Sequence, residues 1–489
     1  MIPERSRTGL VLLASAIAIA IVVRTIAVVL PSRLDAALGA GVLVLAVASL
    51  SAADVIRLPP RVWQLAVPAV LLVAAMLWRD SEALFALDLL AFLVALGLML
   101  PHAQRPRVAR AGVSDYMRAA AVWGAYSVAG ALPLAVQEIR WGELPVGSSA
   151  GRARRLGVGL AAALPCVVVF GTLFRSADPA YDRMLASLIT VDLEPLAEHG
   201  AVVFVWSWII AGYFWAAFRT RPPGALVPRH GSFGALEVTT ALTVVLALFV
   251  SFVAFQATYL FGGEQAVHAM GLTYAEYARR GFFELVAVAV LVIPMLLVAE
   301  WAPGGMDSRA RTRIRWLAGS LVAIVFVLLA SALDRMRLYT GTYGLTELRL
   351  YTTAFMFWLA VVLAWFVATV LRGRRTRFAW GAIVTGWLVL GALHIVNPDA
   401  LIVTTNARHP HPFDAGYASE LSADAVPALL AVLADLPPDR ACLLETEALD
   451  PLVEAVRTES RWTVGLVQAR RALEQRRVTE KSVCIPHAT

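Results

Sequence analysis

The residues of this chain that could do chemistry gather in four short polar blocks set between long apolar runs. Asp178 lies in SADPAYD, and Arg280 and Glu284 lie in TYAEYARRGFFEL. Asp334, Arg335, Tyr339, Tyr343, Glu347 and Arg349 lie in LDRMRLYTGTYGLTELRLY, and Asn397 and Asp399 in NPDALI. Carboxylates beside arginines and tyrosines can exchange protons or bind an anion. Plainer duties compete for the same residues. Asp178 precedes a proline and can cap a turn. Glu276, Arg280 and Glu284 recur at intervals of four on one helical stripe. Arg280 can therefore neutralise Glu284, or Glu284 can serve a substrate or a proton. Thr346 can cap the helix that carries Glu347 and Arg349, and tyrosines often anchor helices at a membrane surface.

Several chemistries find no foothold. There is no HExxH and no acidic metal motif. His409 and His411 have no third ligand nearby, and no CxxC pair occurs, so the sequence calls for no metal and no cofactor. Gly262-Gly263 follows a helical run rather than a strand, which argues against a phosphate-cradling loop.

The elements that must position these blocks are membrane helices. The chain has 489 residues, 59% hydrophobic and only 16% charged, where a soluble chain carries about a quarter. Apolar runs of spanning length fall at 9–30, 36–56, 62–78, 83–101, 156–175, 201–218, 236–260, 281–301, 314–334, 350–371 and 378–396. That makes about eleven spans. The segment 112–137, broken by Gly124, Gly130 and Pro133, lies at the interface or forms a twelfth.

The formal charge of +7 comes from arginines in short loops beside apolar runs, so it orients helices and does not announce nucleic acid. Those arginines place the N-terminus in the cytoplasm and the C-terminus outside. Lys481 is the only lysine, a bias typical of a GC-rich bacterial genome. The expected fold is all-α: a polytopic transmembrane helical bundle with a small α-helical extracytoplasmic C-terminal domain. Its parts are an N-terminal four-helix transmembrane part (1–111), an interfacial helix and cytoplasmic loop (112–155), a main transmembrane bundle (156–396) and a polar tail (397–489).

In the tail, Ser422 can cap a helix over 423–436. Pro437-Pro438 ends it, a second helix starts at Asp439, and an amphipathic third runs from about 460 to 477. Cys442 and Cys484 form an even pair in a segment expected to be exported. They form a disulfide there, or remain two structural thiols.

The blocks FRSADPAYDRML, TYLFGG, TYAEYARRGFFEL, ALDRMRLYTGTYGLTELRLY and NPDALI, with LSADAVPALL in the tail, resemble those of a bacterial integral-membrane family catalogued as domains of unknown function 4173 and 4153. The resemblance covers roughly 155–435. It implies a multi-pass protein of the bacterial cytoplasmic membrane and no established activity. The partners expected are the lipid bilayer and, at the outer face, an envelope protein or a small-molecule ligand. Three functions fit: an envelope sensor or scaffold, a transporter, and a membrane enzyme acting on a lipid-linked or envelope substrate. The one-sided polar blocks fit alternating access poorly.

Overall fold

The structure is a computed structural model and describes residues 4–29, 41, 63–104, 112–139, 194–219, 234–260, 282–301, 307–408, 413–459 and 462–479. Among these, all regular structure is helical. Six described helices are long and apolar enough to cross a bilayer, and a shorter apolar helix covers Ala66–Trp78. By length and composition the chain is thus a membrane protein of all-α class.

Contacts divide the chain into two units. The first comprises Met1–Val73, Leu93–Pro106 and Met117–Pro222. In it, α1 (Glu4–Val29) packs on α5 (Glu194–Arg219). Leu12, Ala16, Ala20 and Phe214 are fully buried between them. Helices α2 (Trp63–Trp78), α3 (Glu82–Gln104) and α4 (Val113–Ala129) come between α1 and α5 in the chain. After α4 the ambiguous segment stays helical, through a short turn at Ala131–Pro133 and a π-helical stretch at Leu134–Glu138. Its break falls at Gly130, where a Cβ would lie 2.9 Å from the Gly212 carbonyl oxygen. Two glycines here let two backbones touch, as small residues do between membrane helices. Trp208 Nε1 donates to the Val128 carbonyl beside them at 2.6 Å.

The second unit comprises Ala74–Phe92, Arg107–Tyr116 and Pro223–Thr489. Its apolar core is built on α8 (Ser308–Tyr343), with α6 (Ala235–Leu260), α7 (Phe282–Trp301) and α9 (Glu347–Thr369) against it. α10 (Phe378–Val396) packs on α9. Leu321, Val325, Leu363 and Phe366 are fully buried there. α8 has 36 residues, about 54 Å of helix. Asp307 caps its start by accepting from the Ala310 N–H at 2.8 Å, and its first turns carry Arg309, Arg311, Arg313 and Arg315. At its far end Gly344 takes a positive φ of 75° with an extended ψ, a conformation open to glycine that stops the helix. α9 returns the chain to a second arginine group, Arg372 to Arg377, and α10 runs back again.

The tail builds its own apolar core from α11 (Pro398–Ala407), a single turn at Ala415–Ser419, α12 (Val426–Asp435), α13 (Pro438–Leu444), α14 (Asp450–Thr458) and α15 (Val464–Thr479). Val403, Val426, Leu429 and Ala469 are fully buried in it. The helix expected over 423–436 opens as a 3-10 turn at Ala423–Ala425 before α12 takes over. A π-helical stretch, Glu445–Leu449, joins α13 to α14.

Candidate functional site

Five helix starts of the second unit meet. They are those of α3, α9, α11, the Ala423–Ala425 turn leading into α12, and α15. Each leaves backbone N–H groups without an intrahelical partner and carries a partial positive charge. Their cap positions are Ser81, Thr346, Asn397, Ser422 and Thr463. The carboxylates Asp80, Glu82, Glu347, Asp399 and Asp424 stand at or beside the same turns. An acidic cluster is what convergent helix starts stabilise.

The bonds are specific. Asp80 and Asp424 clasp each other's backbone. The Asp80 N–H donates to Asp424 Oδ2 at 2.5 Å, and the Ala423 N–H donates to Asp80 Oδ2 at 3.4 Å. Thr463 Oγ1 donates to Asp80 Oδ1 at 3.3 Å and also caps α15 through the Leu466 N–H. Asp399 Oδ2 accepts from the Ser422 N–H at 3.1 Å and from Ser422 Oγ. Asn397 ends α10 at φ 55° and caps α11 with its Oδ1, while its Nδ2 donates to the Asp424 carbonyl at 3.2 Å. Asparagine tolerates this left-handed geometry better than most residues.

Arg79 is the cation of the cluster. Its Nη1 lies 3.6 Å from Asp424 Oδ1, and Nε and Nη2 both donate to the His394 carbonyl, at 2.8 and 2.6 Å. It thereby satisfies a carbonyl in the last turn of α10. The His394 ring stacks on Trp78, and its Nε2 meets the Asp88 carboxylate at 3.0 Å. Both residues of that pair are buried among apolar helices.

Asp399 is wholly buried, and among the described residues no donor reaches its Oδ1. Burial pushes the Asp399 carboxyl up to about 6; the Glu347 and Asp80 charges add to the rise, and the bonds from Ser422 oppose it. Burial likewise pushes Asp424 up to about 6, against the Asp80 N–H and Arg79, which favour its charged form.

A second group sits where α8 turns into α9. Arg349 lies over the Tyr339 ring at 4.1 Å and donates to the Tyr343 carbonyl at 3.0 Å and to the Gly344 carbonyl. The side chain of Asn406, on α11, pairs with both backbone groups of Leu345, at 2.6 and 2.8 Å. The Glu347 N–H donates to Tyr417 Oη at 2.8 Å, while Ser81 bonds the Glu347 carboxylate and lies 3.1 Å from Tyr351 Oη. Thr346 holds the cap position, but its side chain makes no capping bond. Tyr417, from the tail, meets that N–H instead.

Of the residues singled out from sequence, Glu347, Asn397 and Asp399 stand in the cluster, and Tyr339, Tyr343 and Arg349 form the group beside it. Arg335 is buried within α8, whereas Asp334 is exposed on it. Glu284 is exposed in the first turn of α7. The other end of α7 meets the arginine group, where Arg375 Nη1 lies 3.5 Å from the Glu300 carbonyl. Among the described residues no bond joins Glu284 or Asp334 to the cluster. Asp178 and Arg280 lie outside the described residues. Cys442 is disulfide-bonded; Cys484 and Cys166 lie outside the described residues. Among the described residues no group of three or more His, Cys, Asp or Glu could hold a metal ion.

Sequence reasoning missed Arg79, Asp80, Asp88, His394 and Asp424. The hairpin WRDSE, charged between two apolar runs, was the available signal for the first two. The S-x-D in LSADAVP was the signal for Asp424, though only as a local cap. Nothing in the pattern around Asp88 or His394 pairs them across 306 residues.

Comparison with curated proteins and with solved structures finds no match. The sequence model of one family matches residues 66–432, starting well before the roughly 155 expected and so taking in the hairpin with Arg79, Asp80 and Asp88. With that match over most of its length, the chain belongs to the family described as Domain of unknown function (DUF4153).

Proposed function

We propose that this is a multi-pass protein of the bacterial cytoplasmic membrane whose acid-rich helix ends and tail form an extracytoplasmic platform, acting as an envelope sensor or scaffold. Its ligand is an envelope protein or a small molecule at that face. About eleven spans, with the N-terminus inside and the tail outside, accompany this reading. The orientation follows from the arginines, which collect at the opposite end of α8, α9 and α10, as loops on the cytoplasmic side do.

The observation that supports a platform most is the mutual clasp of Asp80 and Asp424. It fastens the tail to the membrane hairpin through backbone donors, which builds a rigid surface rather than a passage. One observation favours a transporter instead: the buried Asp88–His394 pair, since ionisable groups among membrane helices often serve ion pathways.

Impermeant thiol labelling of cells carrying Arg374→Cys or Glu454→Cys tests the orientation. Labelling is expected at 454 and not at 374, and the reverse pattern overturns the reading. Vesicles containing the purified protein and a pH-sensitive dye test the choice of function. Proton flux that depends on Asp88 would replace the platform with a transporter.

A further inference from the structure

Asp80, Asp399 and Asp424 are all buried, and among the described residues Arg79 is the cation that meets Asp424. The helix starts around them supply hydrogen bonds and partial charge, which offsets some of the excess. Each carboxylate uses Oδ2 to hold a backbone N–H of another segment. In Asp399 the second oxygen is left over: Oδ1 is buried and meets no donor among the described residues. A buried, charged oxygen without a donor is costly. A proton on Oδ1 removes the charge and leaves Oδ2 free to accept from Ser422.

We propose that the Asp399–Asp424 cluster is a proton-binding site that sets how firmly the tail is clasped to the Arg79–Glu82 hairpin. Acid closes the clasp, and its loss of protons toward neutral pH loosens it. This rests on the platform reading only for its meaning, since a tail outside the membrane would meet the acidity of the envelope.

The groups facing the site are consistent with that direction. Asp80 and Glu82 come from the hairpin and Glu347 from α9, all acidic. Tyr351 and Tyr417 bring hydroxyls, and burial raises the Tyr417 phenol so that it stays neutral. Arg79 and, beyond the Tyr417 hydroxyl, Arg349 are the cations.

The sign follows from linkage. The folded carboxyl of Asp399 lies above its ordinary value of 3.8, at about 6. The closed state therefore holds the proton more tightly than the open one. Closure is most favoured below about pH 4 and weakens as pH rises toward 6, then stays at its lower level. For one such carboxylate the opening equilibrium rises about tenfold between pH 5 and pH 7.5.

Amide hydrogen exchange on the full chain in lipid nanodiscs reads this directly, after correction for intrinsic exchange. Protection of the Asp80, Ser422, Ala423 and Leu466 amides should fall about tenfold from pH 5 to pH 7.5, while amides of α8 near Val325 do not change. Asp399→Asn should keep protection at pH 7.5 and flatten the pH dependence. Protection that is independent of pH in the unsubstituted chain overturns the proposal, whether or not the variant folds. So does restoration of protection at pH 7.5 by sodium or calcium chloride, which would make the occupant a cation. Thiol labelling reports orientation separately, so a reversed topology would sink the platform and leave the proton site standing.

Discussion

The two ends of α8, α9 and α10 treat charge in opposite ways. At one end Arg309, Arg311, Arg313, Arg372, Arg374, Arg375 and Arg377 are exposed. Arg375 reaches the Glu300 carbonyl at 3.5 Å, and the Glu300 carboxylate interacts with Arg311, Arg315 and Arg375 together, so several arginines share one acceptor. At the other end Asp80, Asp399 and Asp424 are buried and Arg79 is partly buried, and each holds a particular backbone or side-chain partner. Exposed charges of this kind act by number and sign, as in the rule that relates arginine-rich loops to the cytoplasmic side. The buried charges act by geometry, so they set which segments meet.

That contrast can be broken most severely at Asp424. Asp424→Ala leaves the Asp80 N–H without its acceptor and takes from Arg79 its carboxylate partner, leaving that side chain only the His394 carbonyl. A loss of about 3–5 kcal/mol is expected, in line with breaking other buried pairs, and thermal unfolding of the purified chain would register it. A loss below about 1 kcal/mol would mean that the buried end is as interchangeable as the arginine end.

The next effect lies in the tail. We expect Cys442 to be bridged to Cys484, and Cys484→Ser to cost about 2–4 kcal/mol. Mass spectrometry of unreduced peptides checks the pairing, and a bridge to Cys166 would refute it.

Gly465→Ala sharpens the comparison further. A Cβ there would fall 2.2 Å from Asp424 Oδ1 and 2.9 Å from its Cγ. The Asp424 side chain must shift, at a cost of about 1–3 kcal/mol. Because alanine favours helices elsewhere, a stabilised variant would show that the carboxylate is not held in place. Smallest of all, Arg374→Ala should change stability by no more than about 0.5 kcal/mol. Only removal of several arginines together should disturb the labelling pattern.

The same distinction explains what could be read from sequence. The apolar runs, the caps at Ser422 and Asn397, and the proline that ends the first tail helix are local signals, and each is visible within a few residues. Glu347 and Asp399 stood out because they begin apolar runs. Glu284 and Asp334 stood out because they lie at the edges of apolar runs, yet they are exposed, since that position does not say which way a residue faces. Asp80, Asp88 and His394 gain their roles only through partners more than 300 positions away. A single sequence carries no trace of such pairing beyond the oddness of a charge.

The length of α8 has a consequence for the lipid around it. Between Arg315 and Asp334 the helix carries no charge from Trp316 to Leu333, about 18 residues or about 27 Å. A bilayer's hydrocarbon is about 30 Å thick, a few ångströms thinner in some membranes. The helix is thus a ruler with charged stops at both ends. A thinner bilayer can be met by tilting, but a thicker one must compress around the protein or draw Arg315 or Asp334 inward. The spacing of those two residues sets the hydrocarbon thickness that this helix meets without mismatch, and longer acyl chains are expected to bear on the fold through that one dimension.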